Sequence, residues 1–568
     1  MKAIRNFLEK HYKLILFLIA LISLVPLFVI SIYSRPSADD YSYSRYVIGL
    51  INSGEANVFN LIKTAIEVDI LEWKTYDGPY ISQIIMTLQP GIYGEKYYFL
   101  GAMGLIILVF LCLFGTFKNM FRIISGGRAS ASNGSSLTFS AICLATITTS
   151  LVMTGMPCIS EGVYWFDGAW NYLPFFFLTV LNVSQIIKYI ANEISENAGI
   201  ASNGDLNSHK TNPWHIFLTS FVAFIASGGN YIVTYANVLL LFTIAVFAII
   251  IKKRAYIIPF VFGLGGFCLE FFAPGRMIRT GDDMGESASI ISACIGAVKG
   301  VYIYVCEWVN IQFVMWMLLT AVLTFLACEC AFRKNRSKDN GTADVVVPNK
   351  NSEENNVALN TDSEDFVPDG LIAGIIKHVK INPAWLVLYT VCFIGALLLL
   401  PYYAVGSSIA GRILNIVWFS FMLLSGIDMA YFIAWIYVRK LTRVSSMDSK
   451  DINDFESSND SKGQKKAENT ILVPVLIAII AMFGLSFFSS SNSMRAVREL
   501  QDGTAQAFAT DNDVRYEAVK NAEEGDELTC GPLTRSELLF FDDLDTDPEG
   551  WQNIAWKRYY GVGMHVEK

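Results

Sequence analysis

The sequence predicts an all-α polytopic membrane protein with about 11 transmembrane helices, and three observations carry that prediction. Of 568 residues, 53% are hydrophobic and only 17% charged, and the mean hydropathy of +0.41 lies far outside the soluble range. Eleven apolar runs come near the roughly 20 residues that cross a bilayer: 13–33, 98–117, 137–156, 171–190, 214–228, 231–251, 255–273, 310–331, 384–402, 412–438 and 470–490. Finally, Lys and Arg collect in alternate connections, as orientation by cytoplasmic positive charge requires.

Taken in order, Lys2, Arg5, Lys10 and Lys13 precede the first span, which is too long for a signal-peptide core and reads as an uncleaved anchor. Lys118, Arg122 and Arg128 follow the second, Lys252, Lys253 and Arg254 the sixth, Arg333, Lys334 and Arg336 the eighth, and Arg439, Lys440 and Arg443 the tenth. With eleven spans all these clusters fall on one side. The N-terminus is therefore expected to be cytoplasmic and the C-terminus extracytoplasmic. Residues 1–490 form the transmembrane domain and 491–568 a small soluble extracytoplasmic segment. The cytoplasmic loops 333–383 and 439–469 are partly disordered by composition.

The first extracytoplasmic loop, 34–97, has helical periodicity. Apolar residues at 43, 46, 47, 50 and 51 make one stripe, and Phe59, Ile62, Ile66, Ile70 and Trp73 another. Both suit helices lying in the membrane interface. Between the seventh and eighth spans, 288–306 reads as a marginal helix. Cys158 and Cys530 both fall outside, where a disulfide between them is an option. The five histidines are scattered, and no metal-ligand spacing emerges.

Candidate chemistry sits almost wholly on the extracytoplasmic side. Asp39 and Asp40 follow the first span. Ser37-x-x-Asp40 matches a capping box, while a carboxylate held at the interface is also what a general base requires; the two roles are compatible. Arg276 and Arg279, with Arg412 more weakly, suit either lipid headgroups or recognition of a phosphate by planar guanidinium. Glu161, Trp165, Asp167 and Trp170 form an acid-plus-aromatic loop, readable as an interface belt or as a sugar-stacking surface. Asp77-Gly78-Pro79-Tyr80 reads as a turn. Glu270 is the nearest case of a charge within a span.

A long first outer loop with two interfacial helices, an Asp pair just after the first span and many further spans together resemble the GT-C superfamily of membrane glycosyltransferases. A bacterial membrane family of uncharacterised function placed near it is closer still, with an Ala-Asp-Asp-Tyr motif after the first span. The resemblance rests on Ser37-Ala38-Asp39-Asp40-Tyr41, Glu161-Gly162-Val163-Tyr164-Trp165, Ala273-Pro274-Gly275-Arg276, and Asp547-Pro548 with Trp551-x-Asn553 and Tyr559-Tyr560-Gly561. Two departures stand out: Asp77-Gly78-Pro79-Tyr80 replaces a common Gly-Arg, and Arg276 stands where Asn is common. The resemblance implies a GT-C-like fold in the bacterial plasma membrane and a polyprenyl-phosphate sugar donor. It further implies inverting transfer to a cell-envelope glycan, lipid or wall polymer. Asp39 or Asp40 would be the base, Arg279, Arg276 and Arg412 would meet the donor phosphate, and Glu161, Trp165, Asp167 and Trp170 would bind the acceptor. Metal dependence is left open, since paired acids accept a divalent cation and some members of such superfamilies work without one. No Walker loop or dinucleotide fingerprint is present for nucleotide sugars, and no nucleic acid is expected as a partner. The competing classes are a polysaccharide polymerase or ligase, and a flippase or transporter of lipid-linked glycans.

Overall fold

A computed structural model describes residues 2–124, 131–197, 211–282, 289–341, 381–405, 409–445, 480–482, 484–485 and 491–567. Long apolar helices dominate it. They are α1 (Lys2–Ser31), α5 (Phe99–Ile124), α6 (Ala131–Gly155), α8 (Leu173–Asn197), α10 (Tyr231–Ile250), α11 (Ile258–Phe271), α13 (Ile290–Trp308), α14 (Ile311–Gly341), α15 (Pro383–Val405) and α16 (Gly411–Ser445). Among the described residues, nine helical stretches are long and apolar enough to cross a membrane, and Pro213–Ala226 (α9) and Ile311–Phe325 are shorter apolar helices. This is an all-α membrane architecture.

Two expectations change. The marginal helix at 288–306 is a full 19-residue apolar helix, Ile290–Trp308. Its Gly296 and Gly300 lie against the ring of Tyr402, small residues being what lets helices approach closely in lipid. The run at 470–490 lies almost entirely outside the described residues, as do most of the two long basic-side loops.

The first loop folds as α2 (Asp39–Asn52), α3 (Val58–Thr75) and α4 (Ser82–Thr87). Both expected stripes form helices, but they face different ways. On α3, Phe59, Ile62, Ile66 and Ile70 are exposed, as an interfacial helix requires. On α2, Val47 is buried against Leu61 and Ile92, with Leu50 and Ile51 packed beside them, so that stripe faces protein rather than headgroups.

The C-terminal segment contains α17 (Asn492–Asp502), α18 (Thr504–Lys520) and α19 (Trp551–Tyr560). A short parallel pair, β1 (Glu527–Cys530) with β2 (Gly563–Val566), completes it. It is clamped onto the bundle. Ala496, Phe508 and Leu538 share one apolar core with Leu27 of α1 and Trp418 of α16. Tyr41 of α2 inserts among Trp556, Tyr559 and Tyr560, Arg35 donates bidentately to Asp513 at 2.8 and 2.9 Å, and Tyr560 donates to Glu95. Asn553 donates to the carbonyls of Asp545 and Asp547 at 2.9 and 2.8 Å, which gives the Asp547…Asn553 motif a structural role.

Candidate functional site

The turn entering α2 is strained. Ala38 has φ 51° and ψ −115°, the first central position of a type II′ turn, which favours glycine. The Asp40 N–H closes that turn on the Ser37 carbonyl at 3.1 Å. Such a residue costs about 1–3 kcal/mol and persists only where its surroundings impose it. Half of the expected capping box forms: Asp40 Oδ2 accepts the Ser37 N–H at 2.9 Å, whereas the Ser37 hydroxyl donates to the Asp542 carbonyl at 3.1 Å.

The two adjacent acids now separate. Asp40 is fully buried and also accepts from the Tyr98 hydroxyl at 2.5 Å and the Asp167 N–H at 3.2 Å. It ties the first loop to the start of α5 and to the 158–172 loop. Burial pushes its carboxyl above the usual carboxylate range, and the hydrogen bonds from Tyr98, Ser37 and Asp167 only partly offset that. The Asp167 side chain, also buried, finds no donor for either oxygen among the described residues.

Asp39 is half-buried and its carboxylate makes no hydrogen bond among the described residues. Burial raises its proton affinity above the ordinary value; Arg412 and Arg279 pull it down, and Asp542 raises it. One unbonded carboxylate thus faces two guanidiniums and a third acid.

Two glycines place the arginines. A side chain at Gly275 would come within 2.8 Å of the Glu72 carbonyl, so only glycine lets α12 (Pro274–Asp282) sit against the end of α3. Arg276 then donates to Asp77 Oδ1 from two nitrogens at 3.2 and 2.8 Å and to Glu270, while Arg279 donates to Asp77 Oδ2 at 3.0 Å. The Arg279 guanidinium lies 4.4 Å from the Tyr76 ring and its side chain stays 33% exposed. A side chain at Gly411 would meet Glu161 Oε1 at 2.8 Å. Glu161 accepts from the Gly411 and Arg412 N–H groups, both at 3.3 Å, and from the Arg412 guanidinium at 2.8 Å.

The acid-aromatic loop gathers here, but its rings are engaged. Trp165 is buried and stacks on Phe541 at 3.6 Å between centroids. Its indole N–H donates to the Ser37 carbonyl at 3.2 Å, and the Arg412 guanidinium lies 5.1 Å from the ring. Trp170 stacks on Phe166 and donates to the Gly101 carbonyl at 3.1 Å. Of the seven residues singled out beyond the acid pair, Glu161, Trp165, Asp167 and Trp170 build the walls, whereas Arg279 and Arg412 act on the Asp39 charge.

Several participants escape the sequence reading. Asp77, read as a turn residue, anchors both Arg276 and Arg279. Asp542 brings the C-terminal segment to Asp39, its carboxylate accepting from Gln552 at 3.2 Å. Asp428, inside the Gly411–Tyr437 span, accepts from the Thr390 hydroxyl at 2.8 Å and lies deeper in its helix than Glu270 does. Cys158 and Cys530 are both free: Cys158 faces Glu161, and Cys530 the His565 carbonyl. Among the described residues, no group of three or more His, Cys, Asp and Glu side chains converges as a metal site. Comparison with protein-family models, curated proteins and solved structures finds no match to this chain.

Proposed function

We propose that this chain is a membrane glycosyltransferase of the bacterial plasma membrane, moving a sugar with inversion from a polyprenyl-phosphate-linked donor to an extracytoplasmic glycan, lipid or wall polymer. The observation that supports it is Asp39, a half-buried carboxylate with no hydrogen bond among the described residues, on whose charge Arg279 and Arg412 act. Asp39 takes the proton of the acceptor hydroxyl as that oxygen bonds to the anomeric carbon. The bond from that carbon to the phosphate oxygen breaks, and the phosphate leaves with the electron pair. Arg279 and Arg412 stabilise the charge that grows on it. Asp40 and Asp167 hold the turn that aims Asp39. Because Trp165 and Trp170 are packed into the wall, the acceptor side falls to Asp542 and Gln552 of the C-terminal segment. Exposed apolar residues on α3 and at the end of α11, including Phe271 and Phe272, suit an isoprenoid tail.

The transport reading keeps the Asp428–Thr390 pair within a span, but an acid with one hydroxyl partner does not by itself make a continuous path. The test is turnover by the purified chain in lipid nanodiscs. Release of polyprenyl phosphate from a polyprenyl-phosphate hexose is expected, with none from a nucleotide sugar. Turnover of the nucleotide sugar without a lipid carrier overturns the proposal, as does movement of an intact lipid-linked glycan without bond cleavage.

A further inference from the structure

The far end of the bundle carries a second charged cluster that the transfer chemistry does not use. Lys188 of α8 is only 9% exposed. No acid or hydrogen-bond acceptor among the described residues pairs with it, and its ammonium rests 4.8 Å from the Tyr189 ring. The charges acting on it from the facing helix α5 are Arg122 and Lys118, both cations. The Lys118 ammonium lies over the Phe114 ring at 5.6 Å. Asn119 donates to Ser184 Oγ at 3.0 Å and Gln185 Oε1 at 2.9 Å, a polar contact between α5 and α8. Glu193 of α8 is already taken by Lys253 at 2.8 Å, Tyr256 at 2.7 Å and Thr211 at 3.2 Å. His215, stacked on Tyr189 at 3.7 Å, brings no negative charge.

A buried cation without a partner is costly, and like charges beside it raise the cost. A compact anion with several acceptor oxygens answers the buried Lys188 ammonium and is drawn by the cations beside it. We infer that Lys118, Arg122 and Lys188 form a phosphate-binding site between α5 and α8, about 30 Å along α5 from Asp39 at 1.5 Å per residue. The occupant we assign is the phosphate of an anionic lipid headgroup in the leaflet at that end. Apolar residues of the same helix, such as Leu111 and Met120, are 54% and 43% exposed, and basic clusters between spanning helices are where such headgroups bind. This site is independent of the proposed transfer reaction.

The experiment is thermal unfolding of the purified full chain in neutral detergent with dioleoylphosphatidylglycerol, dioleoylphosphatidylcholine, or inorganic phosphate at fixed ionic strength. Phosphatidylglycerol should raise Tm by several degrees and phosphatidylcholine should not. If inorganic phosphate alone reproduces the rise, the phosphate site stands and its source is the soluble ion. Lys188→Met should weaken the phosphatidylglycerol response about tenfold or more, the loss of one charged hydrogen bond, and leave the lipid-free protein at least as stable as the parent. Lys118→Gln, half-buried near the helix end, serves as the second variant. Equal shifts with both lipids, or parental lipid affinity in both variants, overturn the inference.

Discussion

Asp39→Asn and Asp40→Asn change neighbouring residues by the same atoms, yet the structure assigns them opposite outcomes. Among the described residues Asp39 makes no hydrogen bond that asparagine would forfeit, so its substitution should move stability by less than about 0.5 kcal/mol. If it is the base, the transfer rate should fall roughly 10²- to 10⁴-fold. Asp40 presents one oxygen to two donors, Ser37 N–H and Tyr98 O–H, and the other to the Asp167 N–H. An amide keeps only one acceptor atom, leaving at least one buried donor unpaired, at about 1–3 kcal/mol. The assay pairs thermal unfolding with single-turnover transfer of radiolabelled hexose from a polyprenyl-phosphate donor to acceptor membranes. Asp39→Asn should unfold like the parent and transfer almost nothing; Asp40→Asn should unfold earlier. Parental transfer by Asp39→Asn refutes the assignment. Inactive Asp40→Asn with parental Tm would exchange the two roles.

Arg279→Lys should reduce donor use about tenfold while the fold persists, because an ammonium cannot offer a planar pair of donors and Arg276 still holds Asp77; initial rates against donor concentration check this. Ala38→Gly relieves the positive φ at some entropic cost, for a net gain of about 1 kcal/mol in thermal unfolding. Asp69 on α3 is buried with one oxygen unpartnered, and burial lifts its carboxyl from 3.8 to about 7. A raised carboxyl favours the folded protein while protonated, so its contribution is present below about pH 4 and lost as pH rises through about 7. Asp69→Asn should therefore flatten the stability profile across that window and stabilise the protein at pH 8 by roughly 2–4 kcal/mol.

The spanning helices were legible because apolar length is a local property of the sequence, and the stripe of α3 because exposure follows its 3.6-residue period. α13 reads as marginal in the sequence because Lys299 and Glu307 interrupt its apolar run. The difference between Asp39 and Asp40 could not be read from composition: successive helical residues point about 100° apart, and which one faces inward depends on Tyr98 and Asp167. Asp77 reads as a turn residue because Asp-Gly-Pro is turn chemistry, and its partner Arg276 lies 199 residues away. Trp165 and Trp170 looked available because Phe541, which covers one of them, arrives from the far end of the chain.

The three arginines differ in how readily each can turn to a phosphate, and the difference follows from what each would leave behind. Arg276 joins Asp77 to Glu270, whose other oxygen is already unpartnered in the interior. Withdrawing it would strand a buried acid, typically a loss of about 3–5 kcal/mol. Arg412 can swing away more cheaply, since Glu161 keeps the Gly411 and Arg412 backbone N–H groups. Arg279 has one ion-pair contact, and Asp77 retains Arg276 and the Gly78 N–H when it leaves. The two arginines easiest to redirect are also the two whose charge lowers the proton affinity of Asp39. In the proposed reaction, a donor phosphate that drew them toward itself would weaken that pull, and Asp39 would become more basic only once the donor is seated. The same cations would thus serve the leaving group and time the base.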